Sequence, residues 1–131
     1  MKRKIPYKGT TINWSRTQGQ VQVLMEKYGV KSFRWTSGIM GNTLIVRFEF
    51  IYEKNGFPIP CRIEVPIPNE NEKERSRLMR VFFWYLKTKM ETVEAGFREF
   101  EEEFLSYIVN KDGKTVYELV SPGLKQLPSK Q

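Results

Sequence analysis

The sequence predicts an α+β fold: an antiparallel meander of three or four strands, one face covered by a short amino-terminal helix and a long carboxyl-terminal helix. Three observations predict it. Asn55-Gly56 separates two runs of alternating polarity; Pro58, Pro60 and Pro66 all fall on even positions of the second run; and beyond residue 70 apolar side chains recur at steps of three and four. With 131 residues, 40% of them apolar and 14% aromatic, the chain has enough for a core and fits one domain over 1–131.

Residues 1–12 read as a basic arm. Next, "NWSRTQGQVQVLMEKYG" sets Trp14, Val21, Leu24, Met25 and Tyr28 at helical spacing, predicting a helix over 16–28 with Ser15 as cap and Gly29 as stop. The strand "VKSFRWT" follows. If Ser37 opposes Asn42 across "SGIMGN", Trp35 faces Leu44, Phe33 faces Val46 and both are buried; a one-residue slip puts both on the open face. Burial is favoured because large apolar side chains follow the buried parity.

Asn55-Gly56 is the dipeptide preferred in two-residue hairpin turns. It sets a register in which Tyr52 meets Ile59, Phe50 meets Cys61, Phe48 meets Ile63 and Val46 meets Val65, all apolar. The other face then pairs Glu49 with Arg62 and Arg47 with Glu64. In this register even residues of the second run turn their N–H groups outward, so the prolines mark a sheet edge closed to further pairing. Any fourth strand would add on the far side, through "VKSFRWT" and the arm around Ile5 to Tyr7.

Met79, Phe83, Leu86, Met90, Val93, Phe97, Phe100 and Phe104 form the stripe of a long helix, with Gly96 as its bend or end and "REFEEEFLSYI" as a second, shorter helix. The stripe suits cover for the sheet, or alternatively a seam between subunits of a homo-oligomer. Residues 125–131 read as a frayed tail.

The net charge of +7 is lopsided. Residues 1–47 hold nine Lys/Arg against the single acid Glu26, a balance of +8, which leaves −1 for residues 48–131. Such asymmetry points to a polyanion partner. Lys2, Arg3, Lys4, Lys8 and Arg16 are the candidates to neutralise phosphates, and Lys31, Arg34 and Arg47 to line a track. Tyr7, Trp14 and Trp35 are the aromatics in basic surroundings that could stack on bases, the ordinary alternative for the tryptophans being core packing.

The chain has no histidine and one cysteine, Cys61, which excludes His-based metal sites, Ser-His-Asp triads, zinc clusters and an internal disulfide. No phosphate-cradling glycine motif occurs, and the runs "NENEKER" and "EFEEEF" have ordinary readings as a helix start and a solvated helix face. No enzyme activity, cofactor or metal is therefore expected. No run of about 18 apolar residues and no apolar stretch after the first charges point to a cytoplasmic protein rather than a membrane or secreted one.

The segment "METVEAGFREFEEEFLSYIVNKDGKTVYELV" resembles the carboxyl-terminal part of small proteins of bacteriophages and mobile elements, with their "TFEEEFL"-like run and "DGxTV" turn; "TINWSRTQGQV" resembles them more loosely. That family carries no activity over to these residues. The order of arm, helix, antiparallel sheet and long helix is similar to the archaeal single-stranded-DNA-binding proteins called ThermoDBP, which implies single-strand binding. The expected function is thus non-catalytic binding of single-stranded DNA with little sequence preference. The rival is a phage or mobile-element assembly factor that oligomerises through the long helix.

Overall fold

The computed structural model describes residues 12–69 and 71–124. Its elements run α1 (Trp14–Lys27), β1 (Ser32–Met40), β2 (Thr43–Lys54), β3 (Phe57–Pro68), α2 (Glu72–Glu94), α3 (Phe100–Glu103), a 3-10 turn (Leu105–Tyr107) and α4 (Val116–Leu124). The sheet has three antiparallel strands in the order β1-β2-β3. The architecture is therefore α+β, as the sequence implies.

The β2–β3 register follows from the turn. Asn55 and Gly56 have φ of 53° and 83°, and every opposed pair from Lys54↔Phe57 to Val46↔Val65 is the expected one. The β1–β2 register does not follow the expected pairing. Gly41 (φ 65°) and Asn42 form a two-residue turn, so Met40 pairs with Thr43, Trp35 with Phe48 and Phe33 with Phe50. Strand β1 is longer than "VKSFRWT" because Ser37–Met40 belong to it and not to a loop. The shift is four residues, an even number, so Phe33 and Trp35 keep the buried parity.

Helix α1 starts two residues earlier than expected because Asn13, not Ser15, is its cap: its side-chain oxygen accepts from Ser15 N at 2.9 Å. Asn71 caps α2 by accepting from Glu74 N at 3.1 Å, and Gly96 (φ 77°) takes the left-handed conformation that stops it. The chain then turns away from the helix axis, leaving Phe97 exposed although the stripe placed it inside. "REFEEEFLSYI" forms only one α-turn and a 3-10 turn, and it returns Phe100 and Phe104 to the core.

The core lies between the sheet and the helices. Helix α2 packs on β3 and against α1. Phe48 and Phe50 stack along β2, Phe82 meets Phe48 edge-on, and Phe100 lies flat on Tyr52 at 3.9 Å between centroids. Met79, Leu86 and Met90 of α2 and Val21 and Met25 of α1 are buried with them, so the stripe of α2 serves as intramolecular core. Lys89 Nζ lies 4.9 to 5.7 Å from the rings of Tyr85, Phe104 and Tyr107 and donates to Glu103 O and Oε2 at 2.7 Å. That contact ties α2 to α3. Cys61 is buried, and burial pushes its thiol up to about 12. No helix among the described residues is long and apolar enough to cross a membrane.

Candidate nucleic-acid interface

Lys2, Arg3, Lys4, Tyr7 and Lys8 lie outside the described residues. The other sequence-selected residues fall in five different places. Trp35 is on the buried face, with its ring 4.5 Å from Phe48 and edge-on to Phe82 at 6.1 Å. Its indole is partly buried and packs against the core. Trp14 packs half-buried against the core, its backbone N–H donating to Ser76 Oγ at 3.1 Å, with the Arg75 guanidinium 3.4 Å above its ring. One face of that indole is already covered.

Arg34 and Arg47 stand on the open face of the sheet, where each has a carboxylate. Arg34 reaches Glu49 at 2.9 Å and Arg47 reaches Glu64 at 2.6 Å. Glu49 does lie opposite Arg62 as expected, but its ion pair is with Arg34, which β1 sets opposite it from the other side. Arg62 instead turns to the carboxyl-terminal segment, donating to Gly113 O at 2.9 Å and to Glu118. The three arginines that would have made a track across the sheet are thus neutralised in place. Lys31 is exposed just ahead of β1, without a carboxylate partner among the described residues.

Arg16 alone of the selected residues lies in a different kind of surface. Between α1 and α2 runs an open groove of about 500 Å³, lined by Arg16, Gln20, Val23, Lys27, Arg80 and Phe83. Arg80 donates to Gln20 Oε1, which holds its guanidinium 4.7 Å from the Phe83 ring and 6.0 Å from that of Trp84. Lys87 Nζ lies 5.2 Å from the centre of the Trp84 ring and pairs with Glu91 at 2.9 Å. Arg16, Lys27 and Arg80 have no carboxylate partner among the described residues. Trp84 is 40% exposed and Val23 68% exposed, so apolar and aromatic surface meets solvent beside unpaired cations.

This arrangement can do two things physically. Unpaired guanidinium and ammonium groups attract phosphates without first having to break an ion pair, and an exposed indole offers a face on which a base can stack. Sequence reasoning placed Phe83 in the apolar stripe of the long helix and did not single out Arg80, Trp84 or Lys87. The signal was there: Lys73, Arg77, Arg80, Trp84 and Lys87 recur at steps of four and three, a second stripe beside the apolar one.

Among the described residues no three His, Cys, Asp or Glu side chains gather as a metal site. Glu74, Glu101 and Glu118 are each held below the usual carboxylate range by hydrogen bonds: to Arg77, to Lys54 and to the Thr115 backbone N–H, respectively. All three are spent in local contacts. No family model, curated protein or solved structure matches this chain.

Proposed function

We propose that the protein is a non-catalytic nucleic-acid-binding protein that holds single-stranded DNA, with little sequence preference, along the α1–α2 groove. One observation carries this reading: among the described residues the cations of the groove have no carboxylate partner while those of the sheet do. Arg16, Lys27 and Arg80 contact backbone phosphates, Trp84 and Phe83 offer stacking surface, and the arm residues Lys2, Arg3, Lys4 and Lys8 add charge. Flexible single strands suit the groove because its aromatics lie beside the cations, where unpaired bases can reach both; a duplex keeps its bases stacked on each other.

The test is a fluorescence titration with oligo(dT). Trp35 packs against Phe48 and Phe82 and Trp14 is covered by Arg75, so quenching should come from Trp84 and vanish in Trp84→Phe. Quenching that persists in the variant, or none at all at low salt, would sink the reading. A second reading, a protein-assembly role, is favoured by α4 and the preceding 3-10 turn, whose exposed Leu105, Tyr117 and Val120 line one shallow depression.

A further inference from the structure

The two rims of the sheet are finished differently. On β3 the even residues point outward, and four of them, Pro58, Pro60, Pro66 and Pro68, have no N–H to offer. Val109 N already donates to Pro60 O there, at 2.9 Å. Nothing comparable protects β1. Its closing pair, Met40↔Thr43, turns the even residues of β1 toward β2, so Phe33, Trp35, Ser37 and Ile39 direct their N–H and C=O groups to the rim. The strand has no proline and one charged residue, Arg34. No described residue pairs with that rim.

We propose that β1 pairs antiparallel with β1 of a second copy, about a two-fold axis at Thr36, joining two sheets into one. A long, proline-free rim is a template for another strand, and this one is complementary to itself. With the axis at Thr36 the strand pairs along its whole length: Ser32 opposite Met40, Phe33 opposite Ile39, Arg34 opposite Gly38 and Trp35 opposite Ser37. Phe33, Trp35, Ser37 and Ile39 then exchange about eight hydrogen bonds between copies.

Side chains favour the same register. Ile39 has the buried parity yet is 58% exposed, and pairing sets it against Phe33 of the other copy. Bulky Trp35 meets small Ser37. Each Arg34 meets a glycine, and the two arginines stand about 13 Å apart along the strands, farther than the screening length of about 8 Å in physiological salt. The rival occupant, the chain's own first eleven residues, is opposed by charge: Lys2, Arg3, Lys4 and Lys8 would come against Lys31 and Arg34.

Sedimentation equilibrium of the full chain tests this. A mass of twice 15.6 kDa is expected at about 100 µM, with Ile39→Lys raising the dimer dissociation constant at least about tenfold. Because Ile39 is exposed in one copy, its fold should survive, which a thermal melt followed by circular dichroism checks. Thr36→Cys places two thiols across the axis in a non-hydrogen-bonded pair, so mild oxidation should give a covalent dimer, whereas Ser32→Cys should not. Native Cys61 is buried and stays out of this reaction. A monomer at that concentration, a dimer indifferent to Ile39→Lys, or a Thr36→Cys protein that does not crosslink each overturns the proposal. So does protection of the Phe33, Trp35, Ser37 and Ile39 amides from hydrogen exchange in a monomer, which would make the arm the occupant. Nucleic-acid affinity is not read in this experiment, so its outcome is independent of the function proposed above.

Discussion

Replacing Arg80 with alanine removes a guanidinium that no carboxylate among the described residues neutralises, whereas replacing Arg34 removes one that Glu49 already holds at 2.9 Å. Each phosphate contact to a single strand contributes about 0.7 to the slope of log affinity against log salt. Arg16, Lys27 and Arg80 together give a slope of about −2.1, and a rise from 50 to 200 mM salt then weakens binding by about twentyfold. Without Arg80 the slope falls to about −1.4 and the same step costs about sevenfold. Arm cations, if engaged, steepen both slopes equally and leave the difference of about 0.7 intact. Arg34→Ala releases Glu49 and removes no free cation, so its slope should match the wild type. Anisotropy of labelled oligo(dT) across four salt concentrations measures all three. A slope unchanged by Arg80→Ala but lowered by Arg34→Ala would place the phosphates on the sheet and refute the reasoning from unpaired charge.

Glu118→Ala breaks a reciprocal cap, since Glu118 Oε1 accepts from Thr115 N at 2.9 Å while Thr115 Oγ1 accepts from Glu118 N at 3.2 Å; it also strips Arg62 of its carboxylate. The expected cost is about 1 kcal/mol for the cap, a fall in melting temperature of roughly 3 to 5 °C. The Thr115 N–H first, and then the Arg62 charge, hold the Glu118 carboxyl below its ordinary value of 4.5, so the folded chain binds fewer protons than the unfolded one; this stabilisation is full above 4.5 and lost as pH falls through the lower folded value. Urea melts should therefore show the gap between wild type and variant shrinking in acid, and a gap that is constant with pH would count against it. Trp35→Phe removes a buried indole N–H that has no partner among the described residues. Loss of ring area and relief of an unmet donor worth about 1–3 kcal/mol oppose each other, so the net change should stay within about 1 kcal/mol. Leu86→Ala, at a fully buried site, should cost about 2–5 kcal/mol in the same urea assay; equal losses for the two variants would show that the Trp35 donor carries no penalty.

Local chemistry made the β2–β3 hairpin legible. Asn55-Gly56 admits essentially one turn, and the outward prolines checked its parity independently. The β1–β2 register was not legible because "SGIMGN" contains two glycines, and Gly38 competes with Gly41 as the turn former until the whole strand is paired. The apolar stripe of α2 was readable as far as Gly96; beyond it a helical period no longer applies, which is why Phe97 is outside and Phe100 inside. The charge map could be counted but only in part resolved into paired and unpaired cations. The Arg47–Glu64 pair followed from the β2–β3 register, but the partner of Arg34, Glu49, depends on the β1–β2 register, which the sequence left open. The groove residues Arg80 and Trp84 were hidden by the opposite error, since a helix that needs a buried face draws attention away from the face beside it.

The prolines of β3 also bear on how far such an assembly could extend. Once two molecules have joined along their unguarded strands, the outer rims that remain are both proline-bearing and already contacted by Val109. Growth by strand addition therefore has nowhere to continue, and the association ends as a closed pair instead of propagating into a fibre.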